Sequence, residues 1–390
     1  MSDAEMSYAE PARRVTMFEL FFDLVFVFAV TRVTSLVLEH PTAAGLGRGL
    51  LVLALLWWAW GAYAWLTNAV DTNSTQSRAV ILAAMGAMLI VAIATPQAWG
   101  VNALPFALCY FAVRALHLVL FAVAGGSQNR AAILRLAPGN LTASILLIIG
   151  VFVPPDVQIA LWVLAVVIDY GTPLVTGVGG FTVHAAHFVE RHSLVVIIAL
   201  GESIVSIGAG VLRLGQPRIT IIIASAVLLS IALIGGFWWA YFDREIELTE
   251  RVLSMAQGAR RAHFARDIFS YLHLPLVAGV VFVAVGIEGV MSHPTATLHG
   301  VYPLCLGGGS ALFLAGLGGV RRRRGHRFRL DHMVGVLVCL ATIPLASRVP
   351  GMLTLAVLGT MLFLSAIMAR SDAGDANAPN PIRARRLRRS

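Results

Sequence analysis

Apolar runs of about 20 residues recur along this chain, and each is long enough to cross about 30 Å of hydrocarbon. Hydrophobic residues make up 58% and charged residues only 13% of the 390 residues, whereas a soluble protein carries about 25% charged residues. The runs are continuous, which excludes the alternating pattern of a membrane β-barrel. The sequence therefore predicts an all-α fold, a polytopic transmembrane helical bundle.

We predict twelve spans, at roughly 18–38, 47–66, 79–98, 102–123, 140–154, 157–177, 188–212, 218–242, 267–291, 297–320, 332–349 and 351–369. The fifth span is short because Pro154-Pro155 ends it. Residues 1–17 are polar and contain no apolar segment of a cleavable signal peptide, so the first helix is expected to act as the insertion signal. The predicted organisation is a cytoplasmic N-terminal tail over 1–17, a transmembrane domain over 18–369 and a basic cytoplasmic C-terminal tail over 370–390.

The arginines predict the orientation of the bundle. With a cytoplasmic N-terminus, 23 of the 29 basic residues, all arginines, face the cytoplasm, whereas Arg48, Arg213, Arg218 and Arg348 lie outside and two lie within spans. This asymmetry predicts a bacterial inner-membrane protein with both termini cytoplasmic. The clusters RRRRGHRFR and RARRLRR adjoin helices, which favours anionic lipids as partners. Nucleic acid is not an expected partner, because the arginines lie in loops and tails.

A weak correspondence between the two halves of the chain suggests a parallel repeat of six helices each, as in several transporter folds. Glu19 opens the first span and Glu190 opens the seventh. Tryptophan pairs, Trp57-Trp58 and Trp238-Trp239, occupy the second and eighth spans. Tryptophans near a membrane end also act simply as interface anchors, which is the alternative explanation.

The first span, FELFFDLVFVFAVTRVTSL, carries Glu19, Asp23 and Arg32. A charged side chain at the centre of a bilayer costs about 2.5–3.5 kcal/mol on insertion scales, and such residues are typically functional. Asp23 lies one helical turn beyond Glu19 on the same face, while Arg32 points to the opposite side. The first helix cannot neutralise itself, so we expect its partners on other helices.

Ionisable residues on four further spans are the expected partners: Arg114, His117, Asp169, Glu202 and His273. Helices 1, 4, 6, 7 and 9 are therefore expected to meet around a polar, hydrated cavity. The alternative is structural, since Arg114 can form a buried pair with Asp169 or Asp23 that only fixes helix packing.

Glu202 is the preferred candidate for a proton-coupling or substrate site. Asp23, Asp169 and Glu202 are expected to face only Arg32 and Arg114, so at least one carboxyl lacks a basic partner. A carboxyl without such a partner in a low-dielectric setting takes up a proton more readily than one in water. Small residues surround Glu202 in GESIVSIGAG and leave room for a ligand.

A second polar cluster is HAAHFVERH, which opens the seventh span. The spacing of His184, His187 and Glu190 is compatible with a metal site, but no further ligand motif accompanies it, and neither a metal nor another cofactor is expected. We predict instead a polar helix start, an interfacial anchor or a cytoplasmic gate. The gate candidates are His187, Glu190, Arg191, His192 and Asp243.

Several motifs resemble those of the bacterial low temperature requirement A (LtrA) family. They are FELFFDLVFVFAV, WLTNAVDTNSTQSR, YFAVRALH, ERHSLVVIIALGES, WWAYFD and HLPLVAGVVFVAVGIEGVMSHP, spread over most of 18–320. Mild departures are Val70-Asp71, where an aromatic residue before the Asp is more usual, and Ser193, where Gly is common. The resemblance implies a multi-helix inner-membrane protein linked by name to growth in the cold, without a defined substrate or reaction.

Three functions remain open from the sequence. A secondary transporter or permease, with or without coupling to protons, fits twelve spans with carboxylates near the midplane. An intramembrane enzyme acting on a lipid or isoprenoid would use Asp169, His117 and Glu202 as acid and base, although no metal-binding carboxylate box or nucleophile motif is present. A membrane sensor or scaffold fits the family name, although no soluble signalling domain is present. The substrate, whether a small molecule or a lipid, is not indicated.

Overall fold

The computed structural model describes residues 14–215, 218–325 and 330–376, and this part of the chain is almost entirely helical. The α-helices are α1 (Met17–Glu39), α2 (Ala43–Ala69), α3 (Thr75–Ala94), α4 (Ala103–Ala124), α5 (Gly126–Gly150), α6 (Pro155–Thr176), α7 (Ala185–Arg213), α8 (Ile221–Phe242), α9 (Glu245–Met255), α10 (Gly258–Ala265), α11 (His273–Ser292), α12 (Gly309–Arg323), α13 (Leu330–Ala346) and α14 (Gly351–Ala376). Short π-helical segments precede α11, at Arg266–Leu272, and α12, at Leu304–Gly308.

The predicted bundle is confirmed. Within the described residues, ten helical stretches are long and apolar enough to cross a membrane, and two shorter apolar helices lie at 332–346 and 351–365. Each of the twelve predicted spans corresponds to one of these helices. Many large apolar side chains are exposed along them, including Val175 and Val123, as lipid-facing residues of a membrane bundle are. The chain is a multi-pass α-helical membrane protein.

Helix α5 is longer than predicted. The span expected at 140–154 belongs to a helix that begins at Gly126 and continues through Pro138. A proline inside a membrane helix is tolerated where neighbouring helices stabilise the backbone. At Gly139, the next residue, an added Cβ would lie 2.0 Å from Thr172 Oγ1 of α6. By sequence alone, a Pro-Gly pair is typical of a helix end. In the structure, Pro138-Gly139 is instead a point of close packing between α5 and α6.

Two other segments differ from the sequence-based boundaries. The stretch between Asp243 and Arg266, expected to be the longest loop, forms the short helices α9 and α10. At the C-terminus, α14 continues to Ala376, beyond the predicted end at 369. The basic segment RARRLRR and residues 326–329 of the other basic cluster lie outside the described residues.

Among the described residues, the first of two compact units comprises 14–29, 55–195 and 250–269. Its helices α4 and α5 pack together, as do α5 and α6 and also α3 and α4. Aromatic side chains fill its core: the rings of Phe106 and Trp162 lie 5.0 Å apart, as do those of Trp65 and Phe188. Large rings at these positions bury much apolar area per residue and leave little freedom in helix packing.

The second unit comprises the described residues of 30–54, 196–215, 218–249, 270–325 and 330–376. Here glycines allow close helix contact: Gly279 of α11 faces the backbone of Gly309 and Phe313 of α12, and Gly286 faces Leu306. Small residues let membrane helices approach until their backbones touch. Neither unit coincides with a half of the sequence, so the six-plus-six repeat stays a prediction.

We expect Gly279→Ala to destabilise the protein by about 1–3 kcal/mol, the usual cost of overpacking. The added Cβ would lie 2.5 Å from Gly309 O and 2.8 Å from Phe313 N, and backbone atoms cannot rotate away. Gly208→Ala on α7 is the control, because nothing lies within 4 Å of its added Cβ. Thermal unfolding in one detergent compares the two variants, and equal midpoints would contradict the close contact.

Candidate functional site

Arg191 is the centre of a buried polar network in the first unit. Its side chain is 0% exposed, and its Nη2 donates to Asp23 Oδ1 at 2.8 Å. Its Nη1 donates to Thr67 Oγ1 at 2.9 Å and lies 3.8 Å from Glu19 Oε2. Trp60 donates its indole N–H to the same Asp23 oxygen at 2.8 Å. One arginine on α7 thus connects two carboxylates of α1 with α2.

His187 and Asn68 extend this network. His187 Nε2 lies 2.9 Å from Glu19 Oε2, and its Nδ1 lies 2.9 Å from Asn68 Nδ2. The Asn68 amide also binds the backbone of His184 through both its oxygen and its nitrogen. The complete set, which we call the Arg191 cluster, is Glu19, Asp23, Trp60, Thr67, Asn68, His187 and Arg191.

Local sequence explains why the cluster forms at this place. Thr16 and Glu19 form a capping box at the start of α1: the Thr16 N–H donates to Glu19 Oε2 at 3.0 Å, and the Glu19 N–H donates to Thr16 Oγ1 at 3.3 Å. The cap anchors Glu19 in the first turn and places Asp23 one turn deeper on the same face. On α7, His187 and Arg191 have the same four-residue spacing and face the two carboxylates.

The placement of Arg191 corrects the sequence analysis. It was counted among the arginines that face the cytoplasm, although the predicted span 188–212 includes it, and Asp23 was expected to face only Arg32 or Arg114. Helix α7 begins at Ala185, and Arg191, in its second turn, is buried. The structure therefore provides a third basic side chain that the count of charges in the membrane had omitted. Glu190, its neighbour, accepts from the Val15 N–H at 3.1 Å instead of joining the cluster.

Arg114 and Asp169 form a second buried group in the first unit. Arg114 Nη2 donates to both carboxylate oxygens of Asp169, at 2.8 and 3.0 Å. The Arg114 Nη1 also donates to the Trp58 carbonyl at 3.4 Å, and the Asn140 amide oxygen, turned toward the guanidinium, accepts from Nε at 3.2 Å. Arg114 lies at the middle of α4. This pair matches the structural alternative considered for Arg114.

His117, one turn beyond Arg114, packs against aromatic rings. Its ring centroid lies 5.5 Å from that of Tyr63 and 5.6 Å from that of Phe121. The Tyr63 ring stacks in turn on Phe22 at 5.0 Å. His117 is buried, and this aromatic environment is typical of a core histidine.

Glu202 occupies a different environment, in the second unit. It is buried near the middle of α7, and its Oε2 accepts from Thr31 Oγ1 of α1 at 2.6 Å. Within the described residues, neither an arginine nor a histidine forms an ion pair with Glu202. The adjacent Ser203 hydroxyl is also buried and finds no hydrogen-bond partner in the described part of the chain. The sequence-based expectation of a carboxyl without a basic partner therefore matches Glu202.

Other predicted residues of the second unit have separate partners. His273 Nε2, at the start of α11, lies 2.8 Å from Tyr241 Oη. Arg32 is half-buried, and its Nη1 reaches Ser35 Oγ of the same helix at 3.5 Å. Asp243 follows α8, where its N–H donates to Trp239 O. In the described residues, no three His, Cys, Asp or Glu side chains are grouped so that they could hold a metal ion.

Several functional residues were missed by sequence reasoning. Trp60, Thr67 and Asn68 lie on α2, which was judged to carry almost no ionisable groups. The sequence feature that could have identified them is the presence of polar atoms in an otherwise apolar helix, in particular at the adjacent Thr67 and Asn68. Glu288 was not among the predicted site residues; its Oε1 lies 2.8 Å from Arg213 Nη2, and it is also within Coulombic reach of Glu202.

Comparison with known proteins places the chain in a family. The profile described as "Bacterial low temperature requirement A protein (LtrA)" matches residues 14–368. The chain belongs to the LtrA family. A relative from Rhizobium meliloti (strain 1021), described as "Uncharacterized protein RA0937", is 29% identical over 364 residues, which cover 90% of this chain and 87% of the relative. The LtrA match includes both α1 and α7, and therefore the Arg191 cluster and Glu202.

In this LtrA protein we expect Asp169→Asn to cost about 3–5 kcal/mol, because it leaves the buried Arg114 without its counter-charge. The double variant Arg114→Met/Asp169→Leu should recover most of that loss, since it removes both charges. The measurement is the free energy of unfolding in a fixed detergent. Arg130→Met, an exposed arginine of α5, serves as control and should change stability little. A double variant that is no more stable than Asp169→Asn would show that the two residues are not coupled.

Proposed function

We propose that this LtrA-family protein is a secondary transporter or permease coupled to protons, with Glu202 as the group that takes up the proton. The observation that carries the proposal is a carboxyl buried near the middle of a membrane helix with a hydroxyl, Thr31, as its hydrogen-bond donor. A membrane protein rarely retains such a group unless it is used, because its charged form is poorly stabilised there. A hydroxyl partner stabilises both the ionised and the protonated carboxyl, as a coupling site requires.

The surroundings of Glu202 support a place for a ligand. Ser203 is buried without a hydrogen-bond partner in the described residues, so a polar ligand could satisfy its hydroxyl. An added Cβ at Gly201, the residue before Glu202, would have nothing within 4 Å. Further along α7, Gly210 packs directly against Met291 and the Glu288 backbone of α11. Helix α7 therefore has space beside Glu202 and is packed tightly two turns beyond it.

The enzyme hypothesis receives less support from the geometry. Both oxygens of Asp169 accept from Arg114, so the carboxyl is engaged in a buried pair instead of facing a substrate. His117, its expected partner, packs between aromatic rings. The two residues thus have the partners of a structural pair and a core histidine. In the proposal, Arg114 serves mainly to fix helix packing instead of binding an anionic substrate group.

Orientation and lipid partners complete the proposal. The arginine distribution supports the bacterial inner membrane with both termini in the cytoplasm. The arginine run 321–324 would then lie at the cytoplasmic surface near anionic lipids. Part of this run also has a structural task, since Arg321 Nη2 lies 2.7 Å from Glu245 Oε1 and Arg324 binds the same carboxylate. Lipid contact would fall to Arg322 and Arg323, which are exposed.

The test is a thermal-stability screen of purified protein against diverse metabolites and lipid head groups at several pH values, followed by transport of any hit in proteoliposomes. A ligand at 100 times its Kd should stabilise the wild type by about 2.7 kcal/mol. In Glu202→Gln the stabilisation by the ligand should no longer depend on pH, because the amide cannot exchange a proton. For the same reason, the substrate should no longer drive a pH change inside the vesicles.

Glu39→Gln, an exposed carboxyl at the end of α1, is the matched control and should behave as wild type. Undiminished coupling in Glu202→Gln would exclude Glu202 as the proton carrier. Stabilisation by lipids alone, or by no compound, would favour an enzyme or a scaffold over a transporter.

A further inference from the structure

The charges of the Arg191 cluster do not balance. Glu19 and Asp23 each bring a negative charge when ionised, and Arg191 brings one positive charge, since arginine stays protonated in proteins. All three side chains are at most 2% exposed. A net charge in such surroundings is costly unless it is compensated. The balance of the cluster therefore depends on the state of His187.

The hydrogen bonds indicate that His187 is neutral. The His184 N–H donates to Asn68 Oδ1 at 2.8 Å, and Asn68 Nδ2 donates to His184 O at 3.0 Å. These two bonds fix which end of the amide is the donor. The same Nδ2 faces His187 Nδ1, so Nδ1 must be the acceptor and the proton lies on Nε2, where it is donated to Glu19. A second proton on the ring would set two donors against each other.

Two carboxylate oxygens of the cluster are also left without donors. Glu19 Oε1 and Asp23 Oδ2 are buried and have no hydrogen-bond partner in the described part of the chain. The first turns of α1 and α7 add about half a positive charge each, which eases the negative charge but supplies no donor to either oxygen. A buried acceptor without a donor costs about 1–3 kcal/mol. A proton on either carboxyl would remove the excess negative charge of the cluster.

Other titratable groups nearby do not supply the missing charge. Glu190 binds the Val15 N–H, and Arg78 is solvent-exposed and lies over the Phe18 ring at 5.8 Å. Tyr63 stacks on Phe22 and donates its hydroxyl to Val113 O. His192 packs against the rings of its neighbours, namely Trp57, Trp60, Phe188 and Phe269. A charged imidazolium would be poorly solvated among those rings.

We infer that the Arg191 cluster is a binding site for one exchangeable proton, which the carboxylates of Glu19 and Asp23 share. The proton titrates the pair as a unit, and Arg191 and His187 hold the two carboxylates in place. This site goes beyond the proposed function: it lies in the first unit, uses none of the groups around Glu202, and stands whether or not Glu202 couples transport.

The first experiment is infrared spectroscopy of the purified full chain in nanodiscs of neutral lipid. At neutral pH the wild type should show the C=O band of a protonated carboxylic acid, and part of this band should disappear in both Glu19→Gln and Asp23→Asn. Each variant removes one negative charge, so the remaining carboxylate is balanced by Arg191. Glu190→Gln on α7 is the control and should keep the whole band. Glu202→Gln should keep the part of the band that disappears in Glu19→Gln and Asp23→Asn.

Stability provides the second readout. The folded cluster holds a proton at a pH where an unfolded carboxyl, with a pKa of about 4, has released it. The folded state then binds more protons, so stability falls as the pH rises through the neutral range, by up to tenfold in the folding equilibrium per pH unit for one proton. This contribution should be lost in Glu19→Gln and Asp23→Asn and kept in Glu190→Gln.

Three results would overturn the inference. The absence of any protonated-carboxyl band from the wild type at neutral pH would do so without relying on a variant that has to fold. An unchanged band in both Glu19→Gln and Asp23→Asn would assign the proton elsewhere. Stabilisation of the wild type, but not of these variants, when Na⁺ replaces choline at constant pH would identify a monovalent cation as the bound charge. Failure of transport in Glu202→Gln bears only on the proposed function.

Discussion

The ion pair between Arg191 and Asp23 is the interaction on which the first unit most depends. In an apolar bundle, helices gain little by leaving lipid for one another, so close packing and polar contacts decide which helices associate. A buried arginine bonded to a carboxylate at 2.8 Å is costly to separate. It ties α7 to α1, and through Thr67 and Trp60 the same network includes α2.

The two units use different means to hold their helices. The first is built around aromatic rings and two buried ionic groups, the Arg191 cluster and the Arg114–Asp169 pair. The second uses glycines such as Gly279 and Gly309, where backbones touch. Its buried carboxyl Glu202 accepts from the Thr31 hydroxyl and forms no ion pair with an arginine or histidine in the described part of the chain. Full pairing of a charge favours rigidity, whereas a lone carboxyl can change its protonation state, and this contrast underlies the separate roles proposed for Arg114 and Glu202.

Predictions from sequence were most accurate for properties of a single helix and least accurate for contacts between helices. Apolar length located most of the spans, but the fifth was begun at 140 although its helix continues through Pro138, where Gly139 packs closely on Thr172. Glu202 was singled out from its neighbours on α7. Arg191 was assigned to the cytoplasmic surface at the start of the seventh span, whereas its side chain is buried against α1. Thr67 and Asn68 were overlooked because neither carries a charge.

The sequence by itself determined the fold class, the number of apolar helices and the family, because hydrophobic length and short motifs are local properties of the chain. It also determined that several charges must lie inside the membrane. Only the tertiary structure decided which charges meet: Asp169 with Arg114, Asp23 with Arg191, and Glu19 with His187. These pairs join residues at least 55 positions apart, and helix periodicity specifies the face of a side chain but not the helix that it faces.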